Sequence, residues 1–297
     1  MTEPSGTAAS CPGLPVPAER ASLPEKVSWF IEHRLHDALD LDAIAAFAGV
    51  SRYHVLRAFS AVAGRPLMRH VRARRLSQAA RMLAAGAPDI ISVALEAGYS
   101  SHEAFTRAFR EQFGVTPDDV RKTGRVDDLE LVEPFRMTIS SDTRLAPPRM
   151  EEQGVLLLAG LGARYSYAGN EGIPAQWGRF APHIGHVPGQ VGDVSYGVCC
   201  NFDDAGHFDY VCAVEVKDFE DLPEEFTRLR VPAQRYGVFT HSGHVSALPA
   251  TIAAIWNEGL SRAGLAAADA PSFERYGPQF DPMTGEGGVE IWVPVET

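Results

Sequence analysis

A chain of 297 residues with 45% hydrophobic and 22% charged side chains is long enough for two domains with separate cores. No apolar run approaches the roughly 18–20 residues that a bilayer span needs, so no membrane partner and a cytoplasmic location are expected. The net charge of −11 makes the whole molecule a poor polyanion binder, yet it is unevenly spread: residues 23–123 hold 14 Lys+Arg against 11 Asp+Glu, and residues 124–297 hold 12 against 25.

Residues 1–22 are rich in Pro, Ser and Ala, with neither a basic start nor an apolar core, and read as a disordered lead rather than a signal peptide. The next hundred residues contain a repeat. "AIAAFAGVSRYHVLRAFSAVAGRP" (43–66) and "ISVALEAGYSSHEAFTRAFREQFGVTP" (91–117) each read as an apolar helix, a glycine turn, a serine and a second helix. Arg57-Ala58-Phe59 recurs as Arg107-Ala108-Phe109, and Gly64 as Gly114. Ser51 and Ser101 stand where N-caps are expected, and Val55/Phe59 and Phe105/Phe109 are spaced to share an inner helix face. Helix, tight turn, helix is the helix-turn-helix plan, and two copies are far more specific than one. Between them "PLMRHVRARRLSQAARMLAAG" (66–86) predicts a rod of about 27 Å at 1.5 Å per residue, near the ~34 Å repeat of successive major grooves. On it Arg69, Arg72 and Arg75 form a basic row, either a solvated face or a phosphate-contacting one.

The stretch "ALEAGYSSHEAFTRAFREQFGVTP" resembles the signature of the AraC-type transcriptional regulators, a likeness that covers residues 23–123. The resemblance implies an all-α double helix-turn-helix domain that binds double-stranded DNA. Tyr53, Leu56 and Arg57 would face bases from the first reading helix, and His102, Glu103, Thr106 and Arg107 from the second. Ser51, Ser101 and Arg110 would meet the DNA backbone, with Arg72 added from the basic row. The chemistry agrees, since Arg can grip guanine, Glu can accept from cytosine, and Leu or Thr can meet a thymine methyl. Leu56 offers no hydrogen bond where some relatives carry a polar residue. Glu103 also reads as an ordinary exposed residue, and Arg107 as the partner of Glu103 or Glu111 on its own helix.

Residues 124–134 read as a charged linker, with a first strand expected at 135–140. Beyond it the period changes. "VLLLAGLGARYSY" is strand-like, "IPAQWGRFAPHIG" helix-like, and "VSYGVCCNF" and "YVCAVEV" are strands. The order then returns with "QRYGVFTHSG", "LPATIAAIWNEGLSRAG", "SFERYG" and "GVEIWVPV". Two strand-helix-strand-strand units with antiparallel sheets predict an α+β domain over 135–297 with a cleft between its halves. Within "GGVEIWVPVE" strand alternation puts Glu290 on one face with Trp292, either the wet side of an edge or the floor of a pocket.

"IPAQWGRF", "FERYGPQFDP" and "VEIWVPV" together resemble the gyrase-inhibitor-like (GyrI-like) effector-binding domain. That resemblance implies a pocket for a small organic, often cationic, effector, with Glu290 as its anion and Trp177 and Tyr276 as its aromatic wall. Trp292 and Tyr210 join it on alternation and repeat position. The domain order is similar to Rob-type members of the AraC family and implies a one-component regulator that is not an enzyme, with RNA polymerase as a further partner. The rival reading is a detoxifying hydrolase, with Glu290 as general base, or a protein that sequesters toxic compounds. No cofactor or metal is expected. Cys11, Cys199, Cys200 and Cys212 lack ligand spacing, His241 and His244 lack a carboxylate in register, and "GNEG" lacks the lysine of a phosphate loop.

Overall fold

Serines and aspartates start most helices of the first domain, and left-handed glycines stop several of them. The structure, a computed structural model, describes residues 22–135, 145–167, 169–203 and 205–296. Helix α1 (Leu23–His33) is followed by α2 (Leu41–Ala48), which Asp40 caps by accepting from the Ala43 amide at 2.8 Å. Helix α3 (Arg52–Ala63) starts at Ser51, whose hydroxyl accepts from His54 N, and ends at Gly64 with φ of 63°. The long rod is α4 (Leu67–Ala84), 18 residues as its sequence predicts. The plan then repeats in α5 (Ile90–Glu96) and α6 (His102–Phe113), the latter capped by Ser101 and stopped at Gly114 with φ of 72°. Such positive φ is what glycine reaches without a Cβ clash. Helix α7 (Pro117–Thr123) closes the domain at Gly124.

The segment after α7 is strapped to the rod. Arg74 donates to the Val132 carbonyl at 2.6 Å, the Val132 amide donates to Ser77 Oγ at 2.9 Å, and Arg81 pairs with Glu133. Arg74 also forks onto both oxygens of Glu32 at 2.7 Å, tying α1 to α4. The strand expected at 135–140 falls, from residue 136 on, outside the described residues.

The described strands of the second domain form one antiparallel sheet of eight: β1 (Arg149–Gln153), β2 (Leu156–Ser166), β3 (Gln190–Cys200), β4 (His207–Val216), β5 (Thr227–Val231), β6 (Gln234–His241), β7 (Ser272–Tyr276) and β8 (Val289–Pro294), in spatial order β1-β6-β8-β7-β3-β4-β2-β5. Helix α8 (Ile173–Phe180) follows β2. The helix after β6 runs as α9 (Leu248–Ala254), a π turn (Ile255–Gly259) and α10 (Leu260–Arg262). The two expected strand-helix-strand-strand units are therefore present. Each is preceded by a five-residue strand that pairs with the other unit, β1 on β6 and β5 on β2.

Cores follow this layout unevenly. The second helix-turn-helix unit has its own, around Leu76, Leu83, Phe105, Phe109 and Val120. The first unit does not: Val27, Ile44, Val55 and Phe59 form one continuous buried cluster with Phe239, Ile255, Trp256, Leu260 and Ile291 of the second domain. Arg75, expected on an outward basic row, bends back to donate to the carbonyls of Leu35 at 2.8 Å and Asp37 at 2.5 Å, while Arg69 and Arg72 stay exposed.

Candidate functional site

The sheet has two faces, and pairing fixes which side chains share one. Glu274 on β7 stands between Gly197 on β3 and Ile291 on β8, on the face that carries the helices and the π turn. Its neighbours along β7, Phe273 and Arg275, pair with Trp292 and Glu290 on the opposite face.

Three of the five residues expected to line an effector pocket meet around Glu274. Tyr210 Oη donates to Glu274 Oε2 at 2.6 Å, Tyr276 Oη donates to the same oxygen at 3.0 Å, and Trp177 Nε1 donates to Tyr210 Oη at 3.0 Å. The Trp177 and Tyr276 rings meet edge to face at 5.0 Å. Gly197 makes the arrangement fit, because a Cβ there would collide with the Tyr210 hydroxyl and the Glu274 carboxylate. Burial pushes the Glu274 carboxyl above its ordinary range, against the two phenol hydrogen bonds and the positive charge of Arg57, which favour its charged form.

Glu290 and Trp292 lie elsewhere. Glu290 sits on the far face, where Arg149 donates to it at 2.8 Å, Arg275 at 3.4 Å and Trp292 Nε1 at 3.0 Å. Trp292 itself is buried among Tyr236, Phe273 and Val198. The expectation that Glu290 is the anion among Trp177, Tyr210 and Tyr276 is therefore corrected. Alternation within β8 was right, but the pairing of Arg275 with Glu290 and of Phe273 with Trp292 turns that face away from the tyrosines. Glu274, in "SFERYG", is the carboxylate that the sequence reading passed over. The signal was available, as a lone glutamate amid strand aromatics in a repeat-equivalent strand.

A small recess beside Glu274 is lined by Gly197, Cys199, Ile252, Trp256, Ser272 and, from the other domain, Arg57. Arg57 is only 6% exposed. Its guanidinium carbon stands 4.3 Å from the Phe202 ring centroid and 4.8 Å from that of Trp256, and Nη2 donates to Ser272 Oγ at 3.3 Å. The π turn supplies Trp256, which also meets the rings of Tyr53 at 5.8 Å and His54 at 5.7 Å, each edge on. Ser51 Oγ donates to the Ala267 carbonyl at 3.1 Å, and Leu56 packs against the shared core. The candidate DNA-facing residues of the first reading helix, Ser51, Tyr53, Leu56 and Arg57, are thus turned into the second domain.

Helix α6 is presented differently. His102, Glu103, Arg107 and Arg110 are exposed, as is Ser101. Among the described residues Arg107 forms an ion pair with neither Glu103 nor Glu111, so its guanidinium is available for other work. Thr106 turns its hydroxyl inward, where it meets no hydrogen-bond partner. His241, one of the histidines weighed for metal, commits both ring nitrogens inside the protein, to Thr251 Oγ1 at 2.8 Å and to the His244 carbonyl at 3.2 Å.

Comparison with known proteins agrees with both halves. A helix-turn-helix domain model matches residues 44–123, and the model of the GyrI-like small molecule binding domain matches residues 146–296. The transcriptional regulator Rob of Salmonella typhimurium is 26% identical over 274 residues, which is 88% of this chain and 92% of that protein. The transcriptional regulator BrlR of Pseudomonas aeruginosa is 32% identical over 133 residues, 44% of this chain and 49% of that one. Among solved structures, SAV2435 bound to tetraphenylphosphonium aligns with 51% of this chain and 94% of its own, at 20% identity and a TM-score of 0.44. No helix among the described residues is long and apolar enough to cross a membrane. The chain belongs to the family of the GyrI-like small molecule binding domain, joined here to an AraC-type helix-turn-helix domain, and is a DNA-binding transcription regulator.

Proposed function

We propose that the recess beside Glu274 binds a cationic, lipophilic organic effector, and that the protein acts as a one-component regulator whose two reading helices contact DNA. The observation that supports the effector reading is the buried Glu274 carboxylate, held by Tyr210 and Tyr276 and surrounded by rings. A carboxylate in such a place is costly when charged, and a cation with an apolar body offsets that cost by Coulomb attraction while stacking on the aromatic walls. Neutral ligands of the same shape would gain only the packing. DNA contact is assigned to Ser51, Tyr53, Leu56 and Arg57 on the first unit, to Ser101, His102, Glu103, Thr106, Arg107 and Arg110 on the second, and to Arg72 on the rod.

A binding role fits the site better than a hydrolytic one. Both phenol hydroxyls donate to Glu274 Oε2 and hold the carboxylate in place beside their rings, which supports a berth for a cation. The distinguishing experiment is calorimetry on the whole protein with a panel of lipophilic cations and neutral isosteres. Glu274→Gln, which keeps shape and removes charge, should cost the cations about 2–5 kcal/mol and leave neutral isosteres nearly unaffected. Equal affinity of parent and variant for the cations, or turnover of an electrophile that depends on Glu274, would overturn the reading.

A further inference from the structure

A positive charge already occupies the aromatic recess. We propose that Arg57 is an internal occupant of the effector site: its guanidinium holds the first reading helix against the second domain, and a cationic effector competes with it. This rests on the assignment of the recess to a cationic effector and of α3 to DNA.

Arg57 is placed as a bound cation would be. Phe202 and Trp256 offer their rings at 4.3 and 4.8 Å, Ser272 accepts one hydrogen bond, and Glu274 lines the same recess. Among the described residues no carboxylate forms an ion pair with it, so the guanidinium is held by rings, a hydroxyl and longer-range attraction. The rings and neighbouring side chains favour its charge, yet its five donors are less fully hydrogen-bonded there than water or phosphate would leave them. A cation with few donors loses less by entering.

Occupancy of the recess and presentation of α3 are the same event. Arg57 projects from the face of α3 that also carries Tyr53, and both are buried against Trp256 and Phe202. In the repeat-equivalent position on α6, Arg107 is exposed. One reading helix is therefore masked and the other presented, so the masking is not a general consequence of the repeat's design. Two ligands that favour the same displaced state of a side chain are linked, and each strengthens the other. An effector that displaces Arg57 favours the state in which α3 can meet DNA, and DNA that captures Arg57 must raise effector affinity by the same factor.

The test uses the full chain and rhodamine 6G, a fluorescent lipophilic cation. Backbone hydrogen exchange of residues 52–63 in the unaltered protein should quicken on saturation with the dye, while that of residues 102–113 stays constant. Arg57→Ala empties the recess and should bind the dye at least about tenfold more tightly than the parent. Should that variant fold poorly, Ser272→Ala removes the acceptor holding Arg57 with little change of shape and should tighten dye binding about fivefold. Glu274→Gln should weaken the dye in the parent and in the Arg57→Ala background alike. Dye binding that depends on Glu274 but leaves exchange in 52–63 unchanged, with no tightening in either variant, overturns the competition and spares the effector site. Absence of dye binding, or binding indifferent to Glu274, overturns the effector site and the competition with it.

Discussion

Two glutamates on neighbouring strands, Glu274 in "FERY" and Glu290 in "VEIW", have nearly the same local sequence and opposite surroundings. Alternation along one strand tells which residues share a face but not which face is covered, because that depends on partner strands distant in sequence. Only the register of β7 on β8 separates Glu274, beside Tyr210 and Tyr276, from Glu290, beside Arg149 and Arg275. Trp177 and Tyr276 were legible through the family resemblance of the motifs that carry them, and Tyr210 through its repeat position. Gly197 was not, since its role is to be absent from the space that Glu274 and Tyr210 use. Gly197→Ala should therefore part that hydrogen bond and lower cation affinity in the direction of Glu274→Gln, measurable by calorimetry. An unchanged affinity would mean that the carboxylate does not need its tyrosine. Buried histidines set a second test. Burial lowers the His54 and His70 pKa values from 6.5 to about 4. The unfolded chain then binds more protons between those limits, so this stability is present above about pH 6.5 and lost as pH falls toward 4, by up to roughly 3 kcal/mol per histidine. Urea unfolding from pH 7 to 4.5 should show the loss, and His54→Leu or His70→Leu should each flatten the slope.

At the scale of elements, the helical repeat was readable because caps and turn glycines are local chemistry. Ser51, Ser101, Gly64 and Gly114 act where their residue types say they should. The short strands were not readable. "RMEEQ" and "TRLRV" end the sheet on either side; the first buries no residue, and the second alternates but over only five residues and with a single buried one, too short a pattern to stand out. Their charges suit edges, where a flat apolar strand would invite another chain. Arg74 and Arg75 give a further lesson: an arginine on this rod can be structural, and only its partners reveal it, Glu32 for Arg74 and the Leu35 and Asp37 carbonyls for Arg75. With the Arg74 side chain 4% exposed, Glu32→Ala should destabilise the first unit by about 3–5 kcal/mol in chemical unfolding. On α6, Arg107→Ala should cost about 1–3 kcal/mol of DNA affinity and relax choice at one base pair. Equal weakening on specific and random duplexes would instead assign Arg107 to phosphate.

Across the whole molecule, two effects oppose DNA binding, and they differ in their response to salt. The acidic second domain repels a polyanion at long range, an effect screened beyond about 8 Å at physiological ionic strength. Burial of α3 against Trp256 and Phe202 is short-range and apolar, and salt does not relieve it. The difference in random-duplex affinity between full chain and Arg57→Ala is confounded by the DNA contact proposed for Arg57. The difference between full chain with and without rhodamine 6G is not. That gain should persist as salt rises, whereas a purely electrostatic brake would release with screening.

The exchange of β1 and β5 between the two halves of the sheet makes each half an incomplete object. Cut from the chain, residues 145–217 would hold a strand, β1, whose berth lies on the missing half, and a bare flank on β2 where β5 should lie. Two such fragments satisfy each other: each lends β1 to the other's β2, and the two β3 strands meet where β3 meets β7 now. The duplicated domain thus has the topology of a strand-swapped homodimer fused into one chain. Fusion is also what permits asymmetry. Only one half need keep its glutamate, and the other is left to evolve the wall that faces it.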